Sequence, residues 1–392
     1  MLFTILHIFD WLMWIIMVPS VLYILFFALA SLLPRRKSSY TDSSSTLHSF
    51  LILFPAYHED EVIINSVNIF LQQDYPDNLY DVAVISDHML PSTNEYLASL
   101  SITLLQPVFE KSSKSKALQY AIEKTDRNYD KIVILDADNV VGSDFLSRLN
   151  KVCSEGHQAI QCHRTAKNSE NGIAILDGVS EEINNSIFRK GHDRLRLSAG
   201  LIGSGMCFDY NWFRNNVHQL NTSVEDRELE ALLLHQRIHI HYAEDINVYD
   251  EKVKSCENFQ RQRKRWITGQ VQSLFLMLPH LPQAVLRRNF DFADKTFQQA
   301  LIPRSLLLLF TLLFSTLFTI TSFFISQLSP LKWWLLFAAV CMAIIIAIPS
   351  SLRLQALQQV LHFPRLGWIM TKNLFQINLK DNEFLHTTHG SK

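Results

Sequence analysis

Residues 11–33 form an apolar run of 23 residues that contains no charged side chain. As a helix, a run of this length crosses the roughly 30 Å hydrocarbon core of a bilayer. It is too long for the core of a signal peptide, and Arg35, Arg36 and Lys37 follow it instead of a small-residue cleavage site. Basic residues after a first span favour the cytoplasmic side. We therefore predict a transmembrane anchor over residues 1–37, with the N-terminus outside and the chain cytoplasmic from Arg35.

Two further apolar runs, residues 306–328 and 331–348, predict a transmembrane hairpin over residues 304–352. Their only charged side chain is Lys332, which we expect to reach the interface at the turn. Arg304, before the first of these runs, and Arg353, after the second, agree with a cytoplasmic tail over residues 353–392. These features predict a multi-pass protein of the cell (inner) membrane, with the lipid bilayer as a partner. A buried helical hairpin in a soluble protein is the alternative.

The remaining residues have the mixed composition of a globular domain, although charged residues make up only 19% of the whole chain. We predict a linker over residues 38–48, a globular domain over 49–278 and an interfacial helical segment over 279–303. The net charge of −1 creates no field that would attract nucleic acid, so no nucleic-acid partner is expected. Five cysteines without a CxxC pair argue against a disulfide framework or a zinc site.

The middle of the chain alternates strand and helix patterns. Residues 49–54, 80–86 and 131–135 are short apolar runs typical of buried strands, whereas residues 60–72 and 114–124 have helical spacing. This alternation predicts an α/β fold, with a mostly parallel, Rossmann-like sheet flanked by helices. Such sheets bind ligands beyond the carboxyl ends of their strands. Polar residues follow each of these strands, so we expect a nucleotide site there.

Asp136 and Asp138 stand two residues apart at the end of the third of these strands. Two carboxylates in this arrangement can face one hard cation, Mg²⁺ or Mn²⁺, that also binds substrate phosphates. Asp87 could accept hydrogen bonds from a base or ribose at the neighbouring strand end, and Lys114 could meet a phosphate. Each has a plainer alternative: a turn, a helix cap or a surface lysine.

Three downstream segments could complete a site. The glycines of residues 200–206 permit close approach of a sugar to the backbone. Asp226 is a candidate general base for an acceptor hydroxyl, although carboxylates at a helix start are favourable without any catalysis. Arg263 and Arg265 could grip a diphosphate while Trp266 supports an acceptor sugar. The alternative for this basic segment is a helix face against anionic lipid.

These motifs resemble the membrane-bound family 2 glycosyltransferases, the group of cellulose, chitin and hyaluronan synthases. The likeness covers roughly residues 50–270, and the motifs stand in the group's order: Pro55-Ala56-Tyr57, Asp87, Asp136 with Asp138, Gly203 to Met206, Glu225 with Asp226, and Gln262 to Trp266. The resemblance implies a GT-A fold and inverting transfer from a nucleotide-diphosphate sugar, often UDP-linked, to a glycan or lipid-linked acceptor.

The resemblance also implies a role for each matched residue. Asp226 would be the base and Asp138 would bind the metal. The donor would contact Pro55, Tyr57, Glu59, Asp87, Lys114, Asp136, Arg263 and Arg265. The acceptor would contact Gly203, Ser204, Gly205, Glu225, Gln262 and Trp266.

Three departures leave the product open. The opening motif continues as His58-Glu59 rather than Asn-Glu, His88 rather than an acidic or small residue follows Asp87, and Val224 replaces the usual Thr before the carboxylate pair. Three spans are also few for a synthase that secretes a long polymer alone, so export or assembly subunits are candidate partners. The alternatives are a non-processive transferase that passes one sugar to a polyprenyl phosphate or lipid, and an inactive scaffold subunit of a polysaccharide export complex.

Overall fold

The computed structural model describes residues 2–35, 46–222, 224–324, 329–359 and 363–374. Arg36, Lys37 and most of the predicted linker lie outside these residues, as does the end of the predicted tail from residue 375. Within the described residues, eight strands form one sheet: β1 Phe50–Tyr57, β2 Tyr80–Asp87, β3 Thr103–Leu105, β4 Lys131–Ile134, β5 Val140–Val141, β6 Ala159–Ala166, β7 Met206–Asp209 and β8 Ile240–Asp250.

The strand order is β3-β2-β1-β4-β7-β6-β8-β5. The pairs β2–β3, β1–β2, β1–β4 and β6–β8 are parallel, while β7 and β5 run antiparallel to their neighbours. The sheet is therefore mixed, with its parallel part at the first three predicted strands. β1, β2 and β4 are nearly continuous apolar runs because both faces of the sheet are covered.

Helices cover both faces of the sheet and continue into the membrane segments. Their bounds are α1 Leu2–Ala30, α2 Ile63–Phe70, α3 Pro91–Ala98, α4 Lys114–Glu123, α5 Phe145–Ser154, α6 Gly172–Asn184, α7 Gly191–Arg194, α8 Tyr210–Asn216, α9 Glu225–His235, α10 Cys256–Met277, α11 Leu281–Leu286, α12 Phe290–Ala300, α13 Arg304–Ser322, α14 Leu331–Ala347, α15 Arg353–Gln358 and α16 Phe363–Leu374. A π-helical stretch, Asn185–Lys190, joins α6 to α7.

Alternate side chains of β1 enter two separate cores, as the two-residue period of a strand requires. Leu51 and Leu53 pack with α4 residues on one face, where Leu118 is fully buried. Phe54 packs on the other face with Phe70 of α2. The two cores fix the sheet between its helices, so the carboxyl ends of β1, β2 and β4 open at one edge.

Within the described residues, two helices are long and apolar enough to cross a membrane, Thr4–Ala30 and Arg304–Ser322. A third span is formed if Leu331–Ala347 and Ser350–Gln358, bent by 107°, are counted together. These helices correspond to the three predicted spans. They pack around Trp333, which is fully buried and lies 4.7 Å from the Phe314 ring.

An ion pair that the sequence did not suggest joins α1 to α14. The Asp10 carboxylate is 2% exposed and lies 2.6 Å from the Lys332 ammonium. Its other oxygen accepts a hydrogen bond of 2.7 Å from the Trp333 indole. The Lys332 ammonium also lies 3.9 Å from the centre of the Trp11 ring. Lys332, which we expected to reach the interface at the turn, is therefore also paired within the helix bundle.

Candidate active site

A cavity of about 790 Å³ lies at the carboxyl edge of the sheet, between the strand ends, α9, α10 and the membrane helices. Most of the sequence-predicted site residues line it together: Pro55, Tyr57, Glu59, Asp87, Lys114, Asp136, Asp138, Gly203, Glu225, Asp226, Gln262, Arg263, Arg265 and Trp266. Ser204 and Gly205 are not part of this lining. Residues from widely separated motifs thus share one space.

Lys114 links the strand ends to α9. It is the first residue of α4, where the Ser113 hydroxyl caps the helix by accepting a hydrogen bond from Lys116 N. Its ammonium lies 2.5 Å from the Asp136 carboxylate, 3.3 Å from that of Glu225 and 2.6 Å from the Gly203 carbonyl. Burial alone would lower the pKa of Lys114, but these carboxylates hold it above its usual value. Lys114 therefore stays charged at the centre of the cavity.

Glu225 and Asp226 begin α9, where backbone N–H groups favour negative charge. Burial, opposed by Lys114 and assisted by Asp226, raises the pKa of Glu225 to about 7. Asp226 is half-buried, and its Oδ1 accepts a hydrogen bond of 2.9 Å from Arg227 N. The two neighbouring carboxylates thus differ, since Glu225 is the buried one. Asp226 is the more accessible of the two from the cavity.

Gly203 brings the glycine-rich loop, residues 200–205, against these carboxylates. Its φ of +83° lies in the left-handed region that favours glycine. A Cβ at this position would lie 3.6 Å from Glu225 Oε1 and 3.9 Å from Asp226 Oδ2. The absent side chain leaves this part of the cavity open.

Ser204 and Gly205 lie on the side of this loop that faces away from the cavity. Ser204 is fully buried; its hydroxyl donates to Asn139 Oδ1 and accepts a hydrogen bond of 3.2 Å from Asp136 N. A Cβ on Gly205 would lie 3.0 Å from the Val248 side chain. Their positions connect the loop to the Asp136 turn and to β8, and neither residue contacts the cavity.

Asp138 is fixed by backbone and side-chain donors. Its Oδ2 accepts a hydrogen bond of 2.8 Å from Glu251 N, and its Oδ1 accepts one of 3.1 Å from Asn139 Nδ2. Its carboxylate therefore does not cap the following helix, which was the plainer alternative. The Asp136 carboxylate is instead directed to Lys114.

Aromatic rings surround the ends of β1 and β2. The Asp87 carboxylate is nearly buried and lies 2.6 Å from His88 Nδ1. The Tyr57 ring lies 4.5 Å from the His58 ring and 5.7 Å from the His88 ring. Both histidines have positive φ angles, 53° and 56°, which turn the chain sharply after each strand. His58 and His88, which sequence analysis treated only as departures, thus place flat surfaces beside Asp87.

The basic segment of α10 makes contacts within the protein that its sequence did not suggest. The buried Arg263 guanidinium pairs with Asp177 of α6 and stacks 4.1 Å from the centre of the Trp266 ring and 4.8 Å from that of Phe259. One face of the helix therefore packs into the protein at the cavity instead of lying wholly against lipid. Gln262, Arg265 and Trp266 line the cavity beside Arg263.

Residues 131–349, more than half of the chain, match the family model described as glycosyl transferase family group 2. The chain belongs to this family. It is a glycosyltransferase, and the family is broader than the synthase group that the motifs resemble. No curated protein sequence matches this glycosyltransferase significantly.

Two solved structures similar to the glycosyltransferase are a mannosyltransferase and TarS. The mannosyltransferase PcManGT from Pyrobaculum calidifontis, in complex with GDP-Man and Mn²⁺, is 13% identical, with a TM-score of 0.54 over 92% of this chain and 96% of that one. TarS 1–349 from S. aureus is 13% identical, with a TM-score of 0.42 over 84% of this chain and 89% of that one. The first likeness confirms the GT-A-like fold.

The glycosyltransferase also contains a buried charge network that sequence analysis missed. Glu181 lies 3.1 Å from both Arg164 and Arg189. Burial opposes ionisation of Glu181, but the two arginines hold its pKa well below the usual value. Arg164 and Arg189 also donate to the carbonyls of Ile202 and Gly200, so they anchor the glycine-rich loop. The only sequence signal is a set of acidic residues on the otherwise apolar helix α6.

The carboxylates of the cavity determine whether a divalent metal ion could bind there. Among the described residues, no three His, Cys, Asp or Glu side chains form a metal-binding group. Mg²⁺ is commonly held by one or two carboxylates together with substrate phosphates. Asp138, a fixed oxygen donor on the cavity wall, fits that donor set once a diphosphate is present.

Proposed function

We propose that this glycosyltransferase moves a sugar, with inversion, from a nucleotide-diphosphate sugar to an acceptor hydroxyl at the cytoplasmic face of the inner membrane. The observation that carries the proposal is the meeting of Asp136, Asp226 and Trp266 on one cavity, although 40 to 130 residues separate them in the chain. A scaffold subunit would not need these groups together. The resemblance to the synthase group makes UDP-sugars the first donors to test.

The donor would occupy the half of the cavity at the strand ends. Asp87 and the neighbouring aromatic rings would receive the base and ribose. Lys114, at the centre, would face the diphosphate with its buried positive charge, and Arg265 is the further cation proposed for it. A bound Mg²⁺ or Mn²⁺ at Asp138 would neutralise charge on the leaving diphosphate.

The transfer is a single displacement. The acceptor oxygen attacks the anomeric carbon while the bond from that carbon to the diphosphate oxygen breaks with its electron pair. Asp226 takes the acceptor proton in the same step. Asp226 suits this role because it lines the cavity beside Gly203, where no side chain blocks an acceptor. Trp266 would support the acceptor sugar with its flat face.

The charged residues at the ends of the membrane helices support the proposed orientation. Arg35 follows α1 and pairs with Asp245 of the catalytic domain, while Arg304 and Arg353 lie at the same end of the hairpin as the cavity. Basic residues at the ends of spans favour the cytoplasm. The catalytic domain would therefore lie on the cytoplasmic side, where nucleotide sugars are made available.

The proposal is tested with purified full-length protein and a panel of nucleotide sugars, by measuring the released nucleoside diphosphate and the binding of each donor. We expect turnover with at least one donor. Asp226→Asn should keep donor binding within about threefold and lower turnover by at least about a hundredfold, the usual weight of a general base. Asp126→Asn, at an exposed position, is the matched control. Binding of no nucleotide sugar, or equal turnover in the two variants, would contradict the proposal.

A further inference from the structure

The cavity continues past the proposed sugar site into an apolar arm between the membrane helices. This apolar arm is lined by Ile24 of α1, Leu308 of α13, and Ile344, Ile345 and Ile348, at the end of α14. Ile24 is 1% exposed, whereas Ile345 is 57% exposed. The arm therefore runs from the protein interior to the surface that the hydrocarbon of a bilayer would cover.

Arg304 stands where the apolar arm joins the polar half. It begins α13, one helical turn before Leu308 and on the same face. Its Nη2 donates to the Ser180 carbonyl and hydroxyl at 3.0 and 3.2 Å, whereas Nη1 is buried without a hydrogen-bond partner. No carboxylate among the described residues lies within 4.0 Å of it. The Arg304 side chain as a whole is half-buried, but a buried N–H of a guanidinium without an acceptor is unfavourable unless a bound group supplies one.

Two more unpartnered donors line the same cavity. Arg263 is 7% exposed and its Nε has no hydrogen-bond partner, because Asp177 engages the guanidinium at Nη2. Gln299 is 3% exposed, and its Nε2 is also without a partner. Buried donors are almost always satisfied, so three that share one cavity point to a missing acceptor group. Multiple forked N–H donors match the oxygens of a phosphate.

We propose that the acceptor is an amphiphile with a long apolar chain, a phosphate and a hydroxyl-bearing head, whose phosphate binds Arg304, Arg263 and Gln299. The chain lies in the apolar arm, and the head passes Trp266, which stacks on Arg263, to bring its hydroxyl to Asp226. This inference rests on the proposed function, since it names the acceptor of the same site. A membrane lipid, rather than free phosphate, supplies the anion because the anion site and the apolar arm are continuous.

The probe is radiolabelled dodecyl phosphate, which carries the chain and the phosphate but no head. Its binding to the full-length protein is measured in a neutral detergent, with inorganic phosphate and uncharged dodecanol as competitors. We expect saturable binding that neither competitor displaces at equal concentration. Arg304→Gln should weaken binding at least about tenfold, because one charge-assisted contact is lost. Gln299→Leu should weaken it less.

Ile345→Trp should also weaken binding by narrowing the apolar arm. Met342→Trp is the matched control, because Met342 is 51% exposed on the same helix and does not line the cavity. Equal binding by wild type, Arg304→Gln and Ile345→Trp would overturn the proposal. Displacement by inorganic phosphate alone would show a free-phosphate site and overturn the lipid assignment.

Donor binding is measured on the same preparations to separate the two proposals. Nucleotide-sugar binding without dodecyl phosphate binding would reject only the acceptor assignment. Dodecyl phosphate binding without any nucleotide-sugar binding would reject the transfer reaction and leave a lipid site. Arg304→Gln should bind the donor like wild type, which also shows that the variant is folded.

Discussion

The Lys114 ammonium lies 3.3 Å from the Glu225 carboxylate, yet burial and the adjacent Asp226 still raise the pKa of Glu225 to about 7. In the unfolded chain this carboxyl has its ordinary pKa near 4.5. The folded state therefore binds the proton more tightly, so this contribution to stability is fully present below pH 4.5. It is lost as the pH rises through about 7.

Glu225→Gln fixes the neutral form and should remove this pH dependence. At pH 5 the variant and wild type should have similar unfolding midpoints. At pH 8 the variant should be more stable by on the order of 2–3 kcal/mol, since a tenfold change in a protonation equilibrium is worth about 1.4 kcal/mol. Thermal unfolding across this range measures the effect, with Glu95→Gln at an exposed position of α3 as the control. A midpoint difference that stays constant with pH would contradict the expectation.

Gly203→Ala separates backbone strain from obstruction of the site. Gly203 and Gly156 both have positive φ angles, 83° and 88°, so alanine at either should cost about 1–2 kcal/mol of stability. A Cβ at Gly156 would meet nothing within 4 Å, whereas one at Gly203 enters the cavity beside Glu225 and Asp226. We expect transfer by Gly203→Ala to fall at least tenfold, as about 1.4 kcal/mol of barrier would produce. Equal rates for the two variants would show that the loop does not border the acceptor.

The parallel part of the sheet was predictable because each strand is a short apolar run that ends at a polar residue. β1, β2 and β4 lie where residues 49–54, 80–86 and 131–135 predict them. The convergence of Asp87, Asp136 and Asp138 followed from strand polarity alone, because parallel strands place their carboxyl ends at one edge. The start of α9 was also predictable, because carboxylates are favourable at the N-terminus of a helix.

Contacts between distant polar residues were not predictable. Glu181 meets Arg164 and Arg189 only because β6 and the π-helical stretch pack against α6, and no local pattern encodes that approach. The direction of Ser204 depends on its hydrogen bond with Asn139, from another loop. Asp10 lies just before the uncharged run, and no local pattern there predicts its pairing with Lys332.

Asp138→Asn tests the metal proposal at the cost of one hydrogen bond, the one that Asn139 Nδ2 donates to Asp138 Oδ1. Asparagine keeps an oxygen that accepts the hydrogen bond from Glu251 N, but it loses the negative charge that a divalent cation requires. We expect the Mn²⁺-dependent part of donor affinity to fall at least about tenfold, by analogy with the loss caused by weakened metal ligation. Titration calorimetry with and without Mn²⁺ measures this, and affinity without metal should be unchanged. Undiminished metal dependence would place the ligand at another residue.

Asp10 and Lys332 should stabilise the helix bundle as an ion pair. The cost of replacing Asp10 should therefore depend on whether Lys332 is present. Asp10→Asn keeps an acceptor for the Trp333 indole but leaves Lys332 charged and unpaired, which should cost about 3 kcal/mol. Adding Lys332→Met removes that charge, so the double variant should recover more than half of the loss. Asp245→Asn breaks the exposed pair with Arg35 and should cost less than about 1 kcal/mol. Thermal unfolding in one detergent compares all three; an Asp10→Asn midpoint equal to that of Asp245→Asn would show that the membrane pair is energetically silent.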